Sequence, residues 1–319
     1  GGTMNNSGWE ANLHVRDLVK AGNFRMSFNF NTSNNRNIIV ELDDDILATM
    51  NPDYTYSNGE YLTRIQERNP YGSIYGFRYK GVYQYNDYIE GVQESAPVVR
   101  DKEGNVIFDA DGKTKPMYYA YGGSAQYEFK AGDAIYEDIN HDGTIDELDI
   151  VYLGNSLPKF MGGFGSTLRW KQLSLNLFFN FRTGNKVVNA ARMEAENMYT
   201  NNNQSIAVNW RWRKEGDVTE MPRALYNYGY NWLGSDRYVE DASFLRFKYM
   251  TFNYAVPTQY LKPYKLNTLS FYLTFQNLLV FTNYTGVDPE VGYGSRSVAK
   301  DSSKTPRPKD FTLGIKIGF

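Results

Sequence analysis

The feature that most constrains this sequence is a two-residue alternation of apolar and polar side chains, recurring from one end to the other. Its cleanest instance is DFTLGIKIGF, residues 310–319. Phe311, Leu313, Ile315, Ile317 and Phe319 share one parity, and Thr312, Gly314, Lys316 and Gly318 the other. Successive side chains of a strand point to opposite faces, so such a segment has one apolar face and one small or charged face. The same pattern places Trp9, Ala11, Leu13 and Val15 against Glu10, Asn12 and His14, and Phe24, Met26, Phe28 and Phe30 against Arg25, Ser27, Asn29 and Asn31. It returns as Leu173, Leu175, Leu177, Phe179 and Phe181 against Ser174, Asn176, Asn180 and Arg182, with Phe178 as the exception. It returns again as Leu269, Phe271, Leu273 and Phe275 against Ser270, Tyr272, Thr274 and Gln276. The segment VEDASFLRFKYMTFNYAV is less regular: Leu245, Phe247 and Tyr249 face one way, Arg246 and Lys248 the other, and Pro257 closes it. Strands of about 8 to 10 residues suit a tilted crossing of a bilayer, whereas soluble strands average about 5 or 6.

Seven strands are predicted, over 8–16, 23–32, 161–170, 173–182, 242–256, 267–277 and 310–319. Lys171-Gln172 reads as a two-residue hairpin turn, which sets Trp170 opposite Leu173 and puts both apolar rows on one face. The connections near 17–22, 171–172 and 257–266 are short, and those at 33–160, 183–241 and 278–309 are long. Short turns on one side and long loops on the other is the asymmetry of outer-membrane barrels, with the turns in the periplasm. The expected fold class is therefore all-β, a transmembrane antiparallel β-barrel with long extracellular loops. Seven strands cannot close an even-numbered barrel, and an open edge is not tolerated in lipid, so a C-terminal piece of a larger barrel is expected. The opening GGTMNNSGWE has neither a basic nor an apolar leader region and reads as a trimmed start.

Composition narrows the alternatives. The 34 Lys and Arg against 36 Asp and Glu give no electrostatic case for nucleic acid. Mean hydropathy is -0.57, and no run approaches the roughly 18 apolar residues of a membrane helix. Cysteine is absent, which excludes disulfides and thiolate metal sites. Aromatics make up 16%, with 27 Tyr and 19 Phe, which suits surfaces that meet both apolar and wet surroundings. The polar rows hold Asn, Ser, Thr, Gln and Gly rather than the Lys and Glu of a face in bulk water, as a wet lumen would. The alternative is a secreted calcium-binding β protein that binds or degrades glycans. Against degradation, no spaced carboxylate pair on strands and no Ser-His-Asp set presents itself, and no enzymatic activity is expected.

Within the first long connection, DINHDGTIDELD places Asp138, Asn140, Asp142, Asp146 and Asp149 at positions 1, 3, 5, 9 and 12 of a calcium loop. Gly143 falls at the turn position, and Thr144 would offer its backbone carbonyl. Hard oxygen donors at these spacings suit a structural Ca²⁺, although Asp at position 12 reaches less far than Glu. The competing reading is an Asp-rich turn without metal. His141 is expected to be solvated. In the second long connection Trp210, Trp212, Tyr226, Tyr228, Tyr230 and Trp232 are candidates for stacking on a substrate or facing a partner, against plain loop packing. Asp288-Pro289-Glu290 reads as loop capping.

Several stretches resemble the SusC/RagA-type TonB-dependent transporters of Bacteroidetes outer membranes. They are PYGSIYGFRYKGVYQ at 70–84, the acidic loop and hairpin GDAIYEDINHDGTIDELDIVYLGNSLPKFMGGFGSTLRWKQLSLNLFF at 132–179, VEDASFLRFKYMTFNY at 239–254, and FQNLLVFTNYTGVDPEV at 275–291. The resemblance implies a barrel of about 22 strands with a plugged lumen, of which residues 1–319 would be the C-terminal part. It also implies nutrient import, of a glycan or oligopeptide, driven by TonB-ExbB-ExbD, a SusD-like surface lipoprotein as cap, and an N-terminal plug and barrel remainder. The terminal strand Phe311, Leu313, Ile315, Ile317 and Phe319 resembles the signal read by the barrel-insertion machinery; Phe319 alternatively sits in an interfacial aromatic girdle.

Overall fold

The computed structural model describes residues 2–44, 61, 66–92, 95–120, 126–292 and 298–319. Seven strands form one antiparallel sheet: β1 (Gly2–Ala21), β2 (Phe24–Leu42), β3 (Phe160–Trp170), β4 (Leu173–Thr183), β5 (Phe244–Ala255), β6 (Thr268–Thr282) and β7 (Asp310–Gly318). They lie side by side in chain order, so the topology is a meander with β1 and β7 at its open edges. All seven expected strands are present. The register at 171–172 is as the alternation requires, with Trp170 opposite Leu173, Leu168 opposite Leu175 and Phe164 opposite Phe179. Lys171 adopts φ 51°, so a non-glycine residue supplies the left-handed turn position.

Register carries the apolar rows across the whole sheet. One row runs Val19, Met26, Leu168, Leu175, Phe252, Leu273 and Leu313; another runs Leu13, Phe30, Phe164, Phe179, Phe247 and Leu279. Within the second, Phe164 stacks on Phe179 at 5.1 Å and Phe179 on Phe247 at 4.4 Å. These rings cover one another sideways, and among the described residues the apolar face stays open: Trp170 is 52% exposed, Phe271 40%, Ile315 57% and Leu313 71%. Ten residue steps from Phe160 to Trp170 span about 33 Å of strand, or about 25 Å at a 40° tilt, the height of a barrel's apolar band.

Three expectations are corrected. First, β1 and β2 are 20 and 19 residues long, well beyond 8–16 and 23–32, and β6 runs on to Thr282 instead of stopping at 277. The extra length of β1 and β2 includes TMNNSG and SNNRN, polar on both faces, which shows no alternation yet continues the ladder. Second, the first turn is at Gly22-Asn23 rather than across 17–22. The chain opposite Ser27 forms a bulge in which Asp17 takes φ 50° and its N–H donates to the Ser27 hydroxyl. Third, Tyr249 does not share a face with Leu245 and Phe247. Phe178 pairs with Tyr249 and Phe179 with Phe247, so two residues of β5 span one step of β4. Phe178 and Phe179 point to opposite faces, and Tyr249 stacks on Phe178 at 5.5 Å. After this bulge Met250, Phe252 and Tyr254 carry the apolar row.

The packed core lies in the long connections and not against the sheet. The largest fully buried side chains, among them Tyr75, Phe77, Phe129, Leu233 and Tyr238, all fall outside the seven strands. Tyr75, Phe77, Tyr119, Phe129, Tyr136, Ile145 and Leu233 belong to one cluster drawn from two of the long connections. Each fully buried aromatic of this kind contributes about 2 kcal/mol through removed apolar area. A wall with uncovered apolar rows thus carries a compact cap with its own core.

Candidate functional site

The sheet's other face is polar over most of its rows, with the stacked rings of Phe178 and Tyr249 as an aromatic patch. Its rows include Ser27, Thr167, Asn176, Thr251, Thr274 and Thr312, and above them Asn12, Asn31, Gly163, Asn180 and Arg246. The Thr167 hydroxyl bonds Asn176 Oδ1 at 2.8 Å, and the Thr251 and Thr274 hydroxyls meet at 3.0 Å. Neutral donors and acceptors of this kind hold water and polar solutes without fixing a charge. Phe178, the exception in its row, has a role here. A Cβ on Gly163 would come within 2.4 Å of its ring, and one on Gly165 within 3.1 Å. The ring therefore lies over both glycines and covers backbone that has no side chain to shield it, an aromatic rescue.

Above the wall, loops are pinned by buried charge. Asp133 is fully buried; its Oδ1 accepts from Arg223 Nε at 2.7 Å and its Oδ2 from Arg223 Nη2 at 3.1 Å. It also accepts from the Tyr127 hydroxyl at 2.8 Å, Lys130 N–H at 2.8 Å and Asn231 Nδ2 at 3.2 Å. Five donors around one carboxylate satisfy a charge that burial alone would make untenable. Burial, with the Asp133 charge adding to it, pushes the Tyr127 phenol well above its ordinary range. A second bridge runs from the wall: Arg246 of β5 reaches Asp288 at 2.5 Å and Glu290 at 3.3 Å. Asp288 also accepts from the Glu290 N–H at 2.9 Å, so this tripeptide caps its own turn and anchors it to β5. Sequence reasoning did not identify Asp133, Arg223 or Arg246, because these pairings join residues 42 to 90 positions apart and leave no local spacing to read.

The acidic loop is wrapped tightly. Asp138 accepts from the His141 N–H at 2.7 Å and the Gly143 N–H at 2.9 Å, Asp142 from Thr144 N–H at 2.8 Å, and Asp146 from Leu148 N–H at 2.8 Å. Asp149, fully buried, accepts from Ile139 N–H at 2.7 Å and Asp146 N–H at 2.9 Å, tying the two ends of the twelve-residue loop together. Gly143 takes φ 89°, and a Cβ there would meet Val99 at 2.5 Å. Thr144–Ile145 pairs in parallel with Tyr118–Tyr119, which fastens the loop to the cap core. Burial pushes the Asp149 carboxyl up to about 6; the charges of Asp138 and Asp146 add to this, and the N–H donors of Asp146 and Ile139 oppose it. Among the described residues no three Asp, Glu or His side chains converge as a metal cluster, since these carboxylates face backbone donors. Hard oxygens on one short loop, with spare lone pairs and mutual repulsion, are nonetheless the donor chemistry calcium takes. His141 is not simply solvated: it is half-buried at φ 62°, and its Nδ1 lies 3.1 Å from the Arg100 carbonyl oxygen, to which a proton on that nitrogen would donate.

The six loop aromatics divide. Trp210, Tyr226 and Tyr228 are exposed at 76%, 65% and 61%. Tyr230 stacks on Tyr119 at 3.9 Å, Trp232 packs on Tyr199 at 4.9 Å, and Trp212 lays its ring on Gly132, where a Cβ would lie 2.3 Å away. The second three hold the cap together; of the first three, Tyr228 also meets the Tyr127 ring edge-on at 5.3 Å, yet all three keep most of their surface open to contact something else.

Comparison with known proteins adds kinship to this geometry. No family model matches the chain. The chain is 28% identical over 331 aligned positions to TonB-dependent receptor P3 of Formosa agariphila, covering 100% of this chain and 29% of that protein. It is 26% identical to TonB-dependent receptor P39 of the same species, and 23% identical to TonB-dependent receptor SusC of Bacteroides thetaiotaomicron, in each case over 100% of this chain. These relatives are receptors, not enzymes. The chain spans less than a third of the length of the curated relatives it matches, with shares of 27% to 30%. Among solved structures, the RagAB peptide transporter matches with a TM-score of 0.65 at 21% identity, over 100% of this chain and 30% of that one. The RagAB peptide importer in its closed-closed state matches at 0.66 and 22%. From end to end the chain is similar to TonB-dependent receptors of the SusC and RagA type, and it folds as a stretch of their antiparallel barrel wall with its loops.

Proposed function

We propose that the protein containing this chain imports a nutrient across the outer membrane in a TonB-dependent manner. These seven strands would form part of the barrel wall of a SusCD-like complex. The observation that carries this is the two-faced sheet: uncovered apolar rows outside, amides and hydroxyls inside, and a packed cap above. A secreted, water-soluble β protein would have to bury those rows.

In this reading the outward rows meet outer-membrane lipid, and the open edges β1 and β7 pair with the rest of the barrel. The N-terminal part supplies the plug and the TonB-ExbB-ExbD coupling. A SusD-like surface lipoprotein seats on the loop side, and Trp210, Tyr226 and Tyr228 face it or the cargo. The cargo class is a glycan or an oligopeptide. The loop 138–149 takes a structural Ca²⁺ through Asp138, Asn140, Asp142, Asp146, Asp149 and the Thr144 carbonyl, which offsets the burial, and with it the neighbouring charges, that raise Asp149. The terminal row ending at Phe319 serves the barrel-insertion machinery.

The test uses the full-length receptor tagged in its own outer membrane. A surface lipoprotein should co-purify with it, and a strain lacking it should lose growth on one glycan or oligopeptide as the limiting nutrient. A protein that leaves the membrane without detergent, with growth unchanged on both nutrient classes, would overturn the proposal.

A further inference from the structure

At the loop end of the outward face the apolar rows stop and a cationic groove begins. Trp9 of β1 packs against Phe160 of β3 at 6.1 Å, an outward aromatic pair at that end of the band. Beyond them the groove is lined by Asn34 and Arg36 of β2, by Tyr152, and by Lys159 and Lys186. Asn34 and Arg36 continue the parity of Phe28 and Phe30, so their side chains leave the sheet on the apolar side. The two lysine stems are seated on glycine backbone: a Cβ on Gly184 would lie 2.8 Å from the Lys159 stem, and one on Gly154 would lie 2.6 Å from that of Lys186. Asn34 Nδ2 donates to the Lys159 carbonyl at 2.6 Å and ties β2 to this rim.

The charge around the groove is one-sided. The lining residues include no Asp or Glu. Among the described residues neither Arg36 nor Lys159 has a carboxylate partner, and Lys186 meets Asp241 only at 3.9 Å, with both side chains well exposed. Three cations and amide donors on the lining of one groove favour an anion. A guanidinium fork beside ammonium groups matches a phosphate in geometry and charge. The position supplies the rest of the ligand, because an apolar band lies directly below, ending in an aromatic pair. A molecule with hydrocarbon chains beneath a phosphate fits both surfaces at once.

We propose that this groove binds the phosphate of a lipid in the outer leaflet, with its acyl chains on the outward rows below Trp9 and Phe160. The inference rests on the membrane-wall reading above, and the experiment separates the two. Full-length receptor in detergent is titrated with a phosphorylated disaccharide glycolipid, its dephosphorylated form, and inorganic phosphate. The protein is used as wild type and as the Arg36→Ala/Lys159→Ala variant, and heat-modifiable mobility in SDS gels confirms an intact barrel in each. The phosphorylated glycolipid should bind the wild type, and the variant should bind it about 25-fold more weakly, roughly fivefold per cation removed. The dephosphorylated form should bind both proteins equally and weakly. Equal affinity of variant and wild type for the phosphorylated lipid overturns the site, and inorganic phosphate binding as tightly as the lipid overturns its lipid source. A wild type with no heat-modifiable form removes the membrane wall itself, and the inference with it.

Discussion

Single residues in this chain do work that depends on the two surroundings of a barrel wall. Phe178 is apolar on the polar face because Gly163 and Gly165 leave backbone to be covered. Asp133 is charged in an apolar core because five donors surround it. Asp149 is the residue whose state reports on the acidic loop. Buried at the end of that loop and pushed up to about 6, it holds its charge at neutral pH against burial and against its neighbours. A cation among Asp138, Asp142 and Asp149 would remove that cost. Limited proteolysis of the full-length protein at neutral pH should therefore cut within 138–149 faster in chelator than in calcium. The Asp138→Asn variant should be cut quickly in both, and identical cleavage of the wild type with and without chelator would argue against a metal.

At the scale of strands, the alternation makes a sharp claim about neighbours in sequence. Leu175 points to the apolar side and Asn176 to the polar side, one residue apart on β4. Arginine for Leu175 should cost about 2 to 4 kcal/mol near the middle of the band, whereas arginine for Asn176 should be nearly neutral. Denaturant unfolding of the full-length barrel in liposomes measures both, and equal losses would contradict the assigned faces. In the same variant series, removal of Phe319 should lower the amount of assembled barrel in the membrane while synthesis is unchanged, and unchanged assembly would remove its role as a signal. The strands were legible wherever one face differs from the other, and so were the hairpin at 171–172 and the long loops. The Asn-rich extensions of β1 and β2 were not, because a strand wet on both sides has no period to detect. The bulge that moves Tyr249 was hidden too, since an extra residue in one strand is defined only by its neighbours. The hub of Asp133 and Arg223 joins two loops through a contact with no local spacing, and the packing of Tyr230, Trp232 and Trp212 is likewise invisible in a list of aromatic residues.

At the scale of the molecule, the hydrophobic effect is divided between two places. The cap buries its aromatics within the protein. Among the described residues the wall leaves its apolar rows uncovered, a surface that a hydrocarbon solvent would stabilise. These 319 residues contain no cysteine, so any labelling background in the full-length receptor comes from its remaining part, whose cysteines are first replaced by serine. The most direct measurement places single cysteines one at a time at Leu175, Phe271 and Ile315, and at Asn176, Thr274 and Thr312, in the full-length receptor in its membrane. Each is treated with a membrane-impermeant maleimide, and then with a fluorescent apolar one whose emission lipid-borne quenchers can reach. The first three should resist the impermeant reagent and be quenched from the lipid; the second three should escape quenching and react with the impermeant reagent wherever the lumen is open to it. Impermeant labelling at Leu175, Phe271 and Ile315 without lipid quenching would contradict the account.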